Sequence, residues 1–528
     1  MCGLAGFYIN QSYSSESSKE LIQNMINTLD HRGPDDSGIW VDPNNVISLG
    51  HKRLSILDIS SAGHQPMSLE RGKFVLTYNG EIYNHLELRA NIEKDCKSIQ
   101  WTGTSDTETL LAAFETWGIK KTLPQLRGMF AIAVYDKSKK KLSLIRDRFG
   151  EKPLYYGWVK SADKNIFSFG SELKAFSCVP EFNNNISKIA LKEFFQYMYV
   201  PCPFSIYENI YKLEPGCILE IDEQAPNNPS TTPLHSSSDK TVIFESMALE
   251  RWYDLKNIVE SQTELFENES EATEIIESEL KTVINLQSIS DVPLGAFLSG
   301  GVDSSTIVSL MQKENSQPIK TFTIGFEDPN FDESKFALEV ANHIGTDHSE
   351  LTVTADDALA IIPNLPDFYD EPFADSSQIP TYFVCKSAKQ DVTVSLSGDA
   401  GDELFGGYNR HITAPLLWNK VNWLPFYARR VLGSSISIIP SSMWDNANNF
   451  VKFFLDSPFT LLGDKVHKTA TRLKNVESVD DLYFSLIAEP DVDLLVKDSI
   501  ENSTLFIDDH LPKINMDDPS SRMMYRDM

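Results

Sequence analysis

The sequence predicts a mixed chain: an α+β first part rich in short strands, then an α/β part whose parallel sheet is flanked by helices. Three observations carry this expectation. Residues 1–220 break into many short alternating segments. Residues 222–240 (DEQAPNNPSTTPLHSSSDK) are rich in Pro, Ser, Asn and Thr and can bury little surface. From about residue 270 onward, strand-like and helix-like periods alternate, which is the pattern of a helix-covered parallel sheet.

The first strand begins at residues 2–9. Residues 73–79 (KFVLTYN) read as a strand that runs into a turn at Gly80. Leu110, Leu111, Phe114 and Trp117 recur at helical spacing within residues 107–117. Residues 128–136 (GMFAIAVYD) and 142–147 (LSLIRD) flank a polar segment at 137–141, the layout of a hairpin. In the later part, residues 273–285, 304–311 and 334–344 read as helices, the last with Phe336, Val340 and Ile344 on one face. Residues 293–298, 320–326 and 392–396 read as strands, and segments beyond about residue 414 read as helical. The breaks give domains at 1–221 and 251–528, joined by a polar linker or insertion at 222–250.

Composition excludes several functions. With 47 basic against 75 acidic residues, the formal net charge is −28, which repels nucleic-acid backbones and anionic lipid. The six cysteines (Cys2, Cys96, Cys178, Cys202, Cys217 and Cys385) show neither C-x-x-C pairs nor metal-ligand spacing. No apolar run is long enough to span a bilayer, and no basic-then-apolar signal opens the chain. A cytoplasmic protein with no nucleic-acid or membrane partner is expected.

Chemistry enters at Cys2. Removing Met1 would give one terminal residue both a thiol nucleophile and an α-amine of pKa roughly 7.7–8.0, able to take the thiol proton. Around it stand MCGLAG at 1–6, HRGPDD at 31–36, RLSI at 53–56, YNGEIYN at 78–84, SDTE at 105–108 and RDRFGEKPLY at 146–155. Taken together, these resemble the class II glutamine amidotransferases, the N-terminal-nucleophile glutaminases, from residue 1 to about 175. The resemblance implies an αββα sandwich with Cys2 attacking glutamine, and an oxyanion hole made by the Asn79 side chain and the Gly80 backbone N–H. It also implies that Arg53 grips the glutamine carboxylate, Asp106 takes the ammonium, and Glu81 assists at that end.

Each residue has a plainer reading. Taken singly, Asn79-Gly80 reads as an ordinary hairpin turn, Asp106 as part of a helix start with Ser105 and Glu108 at capping-box spacing, and Arg53 as a surface charge. Taken with Cys2, these readings give way to the catalytic ones. His31, His51 and His64 read as structural, since terminal-amine catalysis needs no histidine base.

The second constellation is LSGGVDSS at 298–305, between a strand and a helix, where small residues let backbone N–H groups approach a phosphate. It lacks the lysine of a Walker-type loop. A second loop, SLSGDAGDELFGGY at 395–408, packs three carboxylates into the five positions 399–403, a density that calls for a cation. Together they resemble the ATP pyrophosphatases, and the whole chain resembles the glutamine-hydrolysing asparagine synthetases.

That resemblance implies ATP as substrate and Mg²⁺ held by Asp303 and Asp402. Ser299, Gly300, Gly301, Ser304 and Ser305 would cradle phosphates, and Phe297, Ile324, Ser397 and Gly398 would surround the adenosine. Asp399 would serve acyl-adenylate formation or ammonia deprotonation, in place of the Glu some members carry. DEPFADSS at 370–377 also matches the bacterial branch without an assigned role. The implied reaction converts L-aspartate, L-glutamine and ATP to L-asparagine, glutamate, AMP and pyrophosphate through β-aspartyl-AMP, with an internal path for ammonia. A homodimer is the assembly the resemblance allows.

Against the family pattern the synthetase part is expected to be incomplete after YRD at 525–527. Other readings therefore stay open: an amidotransferase for another carboxylate, for instance in surface-polysaccharide synthesis, or a chain retaining only glutaminase or binding activity. A β-lactam synthetase is disfavoured, because that branch lacks the catalytic N-terminal Cys.

Overall fold

The computed structural model describes residues 1–9, 14–97, 99–161, 164–237, 240–261, 266–329, 332–451, 462–489, 495–496 and 514–528. Two compact units emerge: residues 1–194 with 198–398, and residues 195–197 with 399–528.

The first unit opens with β1 (Gly3–Ile9), β2 (Asp36–Val41), β3 (Ile47–Arg53), β4 (Phe74–Ile82), β5 (Gly128–Asp136) and β6 (Lys141–Arg146). It continues with β7 (Tyr155–Ser161), β8 (Lys164–Gly170), β9 (Ile210–Lys212), β10 (Cys217–Asp222), β11 (Val242–Phe244) and β12 (Met247–Arg251). These form two antiparallel sheets, ordered β2-β3-β1-β8-β7-β9 and β11-β12-β10-β6-β5-β4. Alternation along each strand sends one set of side chains inward. Leu4, Tyr8, Leu49, Phe167 and Phe169 of one sheet share a buried core with Val75, Ala133, Leu144 and Leu219 of the other.

The opposite face of β4 and β5 (Phe74, Leu76, Tyr78, Ile132 and Val134) packs on Leu110, Leu111 and Phe114 of the helix Asp106–Trp117. On the other sheet, the helix Ser15–Asn27 buries Leu21, Ile22, Met25 and Ile26. Helix, sheet, sheet, helix is the layering expected.

Two expectations need correction. No turn occurs at Gly80: β4 runs through it, with Gly80 opposite Phe130 and Ile82 opposite Gly128. The stretch 222–250 is not simply a linker either. Its later residues form β11 and β12, which extend the second sheet beside β10, because Met247 and Leu249 are buried in the inter-sheet core. Residues 238–239 of that stretch lie outside the described residues.

The same unit carries β13 (Leu294–Phe297), β14 (Lys320–Phe326), β15 (Asp347–Val353) and β16 (Val394–Leu396), all parallel in the order β15-β14-β13-β16. Helices Val302–Glu314 and Ser334–Ile344 contribute Val308, Met311, Ala337 and Ala341 to a core with Ala296. Phe336, expected on the packed face with Val340 and Ile344, is instead 61% exposed. A separate core joins Phe322 to Ala388 of the helix Gln378–Ala388.

The second unit is helical where described, with Ala414, Val476, Leu482, Tyr483 and Met523 in its core. Among the described residues, no helix is long and apolar enough to cross a membrane.

Candidate active sites

Cys2 stands immediately before β1, and its thiol is bracketed by one residue. Sγ accepts from Leu54 N–H at 3.3 Å and lies 3.6 Å from the Leu54 carbonyl. Burial pushes the thiol pKa up, so a base must remove its proton before attack. The terminal amine, here that of Met1, is lowered to about 6, chiefly by burial.

Asn79 is 1% exposed, and neither its amide nitrogen nor its amide oxygen has a hydrogen-bond partner. Buried amides are normally satisfied, so an unpartnered amide lining the same cavity as the Cys2 thiol stands out. Gly80 follows on β4. A Cβ there would stand 2.1 Å from the Met129 carbonyl oxygen, so close strand pairing requires glycine.

Arg53 ends β3. Its guanidinium donates to the carbonyls of Ser60 (2.9 Å), Leu57 (3.1 Å) and Asp58 (2.5 Å), which leaves two of its five donors for a ligand carboxylate. Asp106 opens the helix Asp106–Trp117 and accepts from Tyr78 O–H at 2.8 Å and Ile82 N–H at 2.9 Å. The expected capping box is only half present. Ser105 caps Thr107, but Glu108 turns back to the N–H groups of Thr102 and Gly103. Burial, then the neighbouring Asp106 charge, pushes the Glu81 carboxyl up to about 8. All six expected residues line one cavity with Leu54, Tyr78 and Lys152.

His31, His51 and His64 each have a partner in the fold. His51 is fully buried, bonded to the Tyr78 carbonyl at 2.9 Å, and lowered to about 3 chiefly by burial. His31 pairs with Glu172 and His64 with Asp36.

Motif reading did not single out several residues that shape this site. Arg32 Nε donates to the Cys2 carbonyl at 2.9 Å, and its Nη1 donates to Glu172 at 2.6 Å. Lys152 lines the cavity, its pKa lowered by burial. Arg32 and Lys152 lie inside the motifs at 31–36 (HRGPDD) and 146–155 (RDRFGEKPLY), where the neighbouring charges give no signal that singles them out. Asp291 has no motif at all.

At the second site, β13 delivers Ser299–Gly301 to the start of the helix Val302–Glu314, whose N-cap Gly301 offers no side-chain cap. Its first-turn N–H groups are therefore available to an anion. Ser299 and Ser304 hydroxyls lie 3.0 Å apart, and the Ser305 hydroxyl is buried without a partner. Gly300 has φ +83°, and a Cβ there would approach Ala337 N at 2.8 Å. Strand order reverses between β13 and β16, and ligands of open parallel sheets sit at such a reversal, beyond the carboxyl ends of the strands. Phe297, Ile324, Ser397 and Gly398 lie on or just beyond those strands, and Gly398 abuts the backbone of Asp303 and Ser304.

Among the described residues, no three His, Cys, Asp or Glu side chains cluster as a metal cage. Asp303, in the first turn of that helix, is the acidic group beside the loop. Asp399 and Asp402 belong to the second unit. There Asp402 and Glu403 open the helix Gly401–Phe405, and Glu403 accepts from Tyr408 at 2.6 Å.

Between the Cys2 region and the parallel sheet lies a cavity of about 1060 Å³. Arg32, Arg53 and Leu54 line one side of it, and Phe297, Thr393 and Ser395 line the other.

Residues 1–231 match the glutamine amidotransferase domain family, and residues 276–528 match the asparagine synthase family. A Methanocaldococcus jannaschii relative named "Putative asparagine synthetase (glutamine-hydrolyzing) 2" is 36% identical over 459 residues, covering 83% of this chain and 81% of its own. Asparagine synthetase (glutamine-hydrolyzing) 1 of Bacillus subtilis is 34% identical over 444 residues, 84% of this chain and 64% of the relative. The chain thus spans most of the first relative and just under two-thirds of the second.

Proposed function

The chain belongs to the glutamine-hydrolysing asparagine synthetase family, and from that premise we propose that it makes L-asparagine from L-aspartate, using ATP and ammonia released from L-glutamine at Cys2. The observation that carries the proposal is the single cavity shared by Cys2, Arg53, Asn79, Gly80, Glu81 and Asp106.

In this reading Arg53 takes the glutamine α-carboxylate, while Asp106 and Glu81 take the ammonium. The terminal amine removes the thiol proton, and Cys2 Sγ attacks the side-chain carboxamide. Negative charge on the former carbonyl oxygen is met by the Asn79 amide and the Gly80 N–H. Collapse to the thioester expels ammonia, which carries the proton taken up by the amine. Water then cleaves the thioester to glutamate.

At the second site, the β-carboxylate of aspartate attacks the α-phosphorus of ATP, giving β-aspartyl-AMP and pyrophosphate. Ser299, Gly300, Gly301, Ser304 and Ser305 hold the phosphates at the helix start. Phe297, Ile324, Ser397 and Gly398 bound the adenosine. Asp303 suits Mg²⁺, which favours carboxylate and phosphate oxygens and would neutralise phosphate charge when bound. Asp402 is assigned to the same ion, and Asp399 to the adenylation or ammonia step, on resemblance alone. Ammonia displaces AMP to form the amide, and the cavity between the two sites supports a protected route for it.

The test is to incubate the purified chain with glutamine, aspartate, ATP and Mg²⁺, following glutamate, AMP and asparagine together. Coupled formation of all three, abolished by Cys2→Ala unless ammonia is supplied, is the expected result. Glutamate without AMP or asparagine would overturn the synthetase half.

A further inference from the structure

Asp370 and Glu371 open the acidic DEPFADSS segment and have no part in either half-reaction above. Both carboxylates are spent on the glutaminase sandwich. Glu371 accepts from Ile206 N–H at 2.8 Å and Tyr155 O–H at 3.1 Å, and pairs with Lys212. Asp370 accepts from Leu173 N–H and pairs with Lys174 at 3.5 Å. Lys174 also pairs with Glu172 at 3.0 Å. Glu172 in turn holds Arg32 at 2.6 Å, and Arg32 Nε holds the Cys2 carbonyl at 2.9 Å.

Charge alternates at every link from Asp370 to Arg32. The side chains of Asp370, Glu172 and Arg32 are only 9%, 9% and 10% exposed. Charges withdrawn from water to this degree are tolerated only as a paired set, and removing one member strands its neighbour. The backbone nearby is tied as well: Tyr199 bridges Phe373, and Ala374 N–H donates to the Met198 carbonyl at 2.9 Å. The chain of contacts ends on a peptide that matters. Leu54 brackets the Cys2 thiol from one side, and Arg32 fixes the carbonyl of the same residue from the other.

We propose that Asp370 is a positioning residue for the glutaminase nucleophile: beside Glu371, which docks the same synthetase segment on the sandwich, it fixes the peptide that carries Cys2 through Lys174, Glu172 and Arg32. The proposal rests on the reading of Cys2 as that nucleophile. It gives the glutaminase site a dependence on the synthetase segment that needs no ligand at the second site. Glutamine itself is held by Arg53 and Asp106, which the network does not touch, so its loss weakens attack rather than binding.

The experiment uses the full 528-residue chain with Asp370→Asn, Lys174→Met, the double variant and Lys174→Arg, measuring kcat and KM for glutamine hydrolysis. Misplacement of a reacting group by about 1 Å costs about a hundredfold in rate, so a smaller shift is expected to cost about ten- to a hundredfold. Each single neutralising variant is expected to lose that much in kcat, with KM within about twofold of the parent. The double variant should fall no further than the worse single variant, because both cut one chain. Lys174→Arg, which keeps the charge, should recover most of the rate.

Unchanged kcat in folded single variants, losses that multiply in the double variant, or a KM rise matching the kcat fall would each overturn the proposal. If Asp370→Asn does not fold, Lys174→Met and Lys174→Arg carry the same decision. Absence of glutaminase activity in the unsubstituted chain would instead remove the reading of Cys2. An active chain indifferent to these substitutions removes the positioning network alone.

Discussion

The Asp291 carboxylate accepts a hydrogen bond from the Asp58 backbone N–H at 2.8 Å, while the Asp291 N–H donates to the Ile56 carbonyl at 3.0 Å. Asp291 lies three residues before β13, the strand that delivers the phosphate loop. Asp58 belongs to the loop whose carbonyls hold the Arg53 guanidinium. Residues on the approach to the proposed ATP site thus contact the loop that holds the group proposed to grip the glutamine carboxylate.

Asp291→Ala removes the acceptor but leaves every glutamine contact in place. A hydrogen bond to a charged acceptor contributes about 1.5–3 kcal/mol when buried, and less at this exposed position. Glutamine KM is therefore expected to rise about threefold to tenfold, about 0.7–1.4 kcal/mol, with kcat nearly unchanged. Asp291→Asn, which keeps an acceptor oxygen, should recover most of the loss. Steady-state glutaminase kinetics check this, and an unaltered KM in Asp291→Ala refutes it.

Asn79→Ala should separate activity from stability. Removing one oxyanion donor costs about 10²–10³ in kcat in comparable sites. The folded protein gives up an amide that is buried and unpaired, a burden of about 1–3 kcal/mol that offsets the small cavity left behind. Thermal unfolding should show a Tm equal to or above that of the parent, alongside the rate loss. A lower Tm would mean that Asn79 is bonded in the resting protein.

Much of this site was legible in the sequence, and the gaps have physical causes. The strand Lys320–Phe326 and the helix Ser334–Ile344 fall at the predicted residues: the strand gives way to the acidic Glu327-Asp328, and the helix ends at Gly345 in the left-handed conformation that glycine favours. Cys2, Arg53, Asn79, Gly80, Glu81 and Asp106 converge from four chain segments that local pattern could name but not bring together.

The Asn79-Gly80 dipeptide is a strong local hairpin signal. Pairing of Glu81 with Met129 and Ile82 with Gly128 overrides it. The polar run at 222–240 masked the alternation of Met247 and Leu249 just beyond it. Asp291, Lys174 and Asp370 act through partners distant in sequence, and no local spacing announces such contacts.

Glu81 gives a pH-dependent prediction. Its carboxyl sits at about 8 in the folded chain against an ordinary 4.5, from burial first and then the Asp106 charge. Between those values the folded protein holds a proton that the unfolded chain releases. Stability from this group is therefore present at low pH and lost as pH rises from about 4.5 through 8. Glu81→Gln, which cannot ionise, should flatten the slope and be more stable than the parent at pH 8 by on the order of a few kcal/mol, read as a higher unfolding temperature. Melting curves from pH 5 to 9 on both proteins decide this, and parallel curves would show that Glu81 is already ionised at neutral pH.

Gly300→Ala tests the second site without disturbing the first. Position 300 has φ +83° and no room for a Cβ against Ala337 N, so alanine incurs about 1–2 kcal/mol of left-handed strain as well as the clash. The loop must then shift, and with it the N–H groups proposed to receive the phosphates. Position 300 faces Phe336 and Ala337, away from the Cys2 cavity and from the contacts linking Asp370 to Arg32, so glutaminase turnover should stay within about twofold of the parent. Aspartate-dependent AMP formation should fall at least about tenfold, the loss of roughly one charge-assisted hydrogen bond. Parallel assays of glutamate and AMP on the same preparation provide the comparison. A variant that kept full AMP formation would move the phosphate site away from this loop, and one that lost both activities together would show that the loop supports the sandwich.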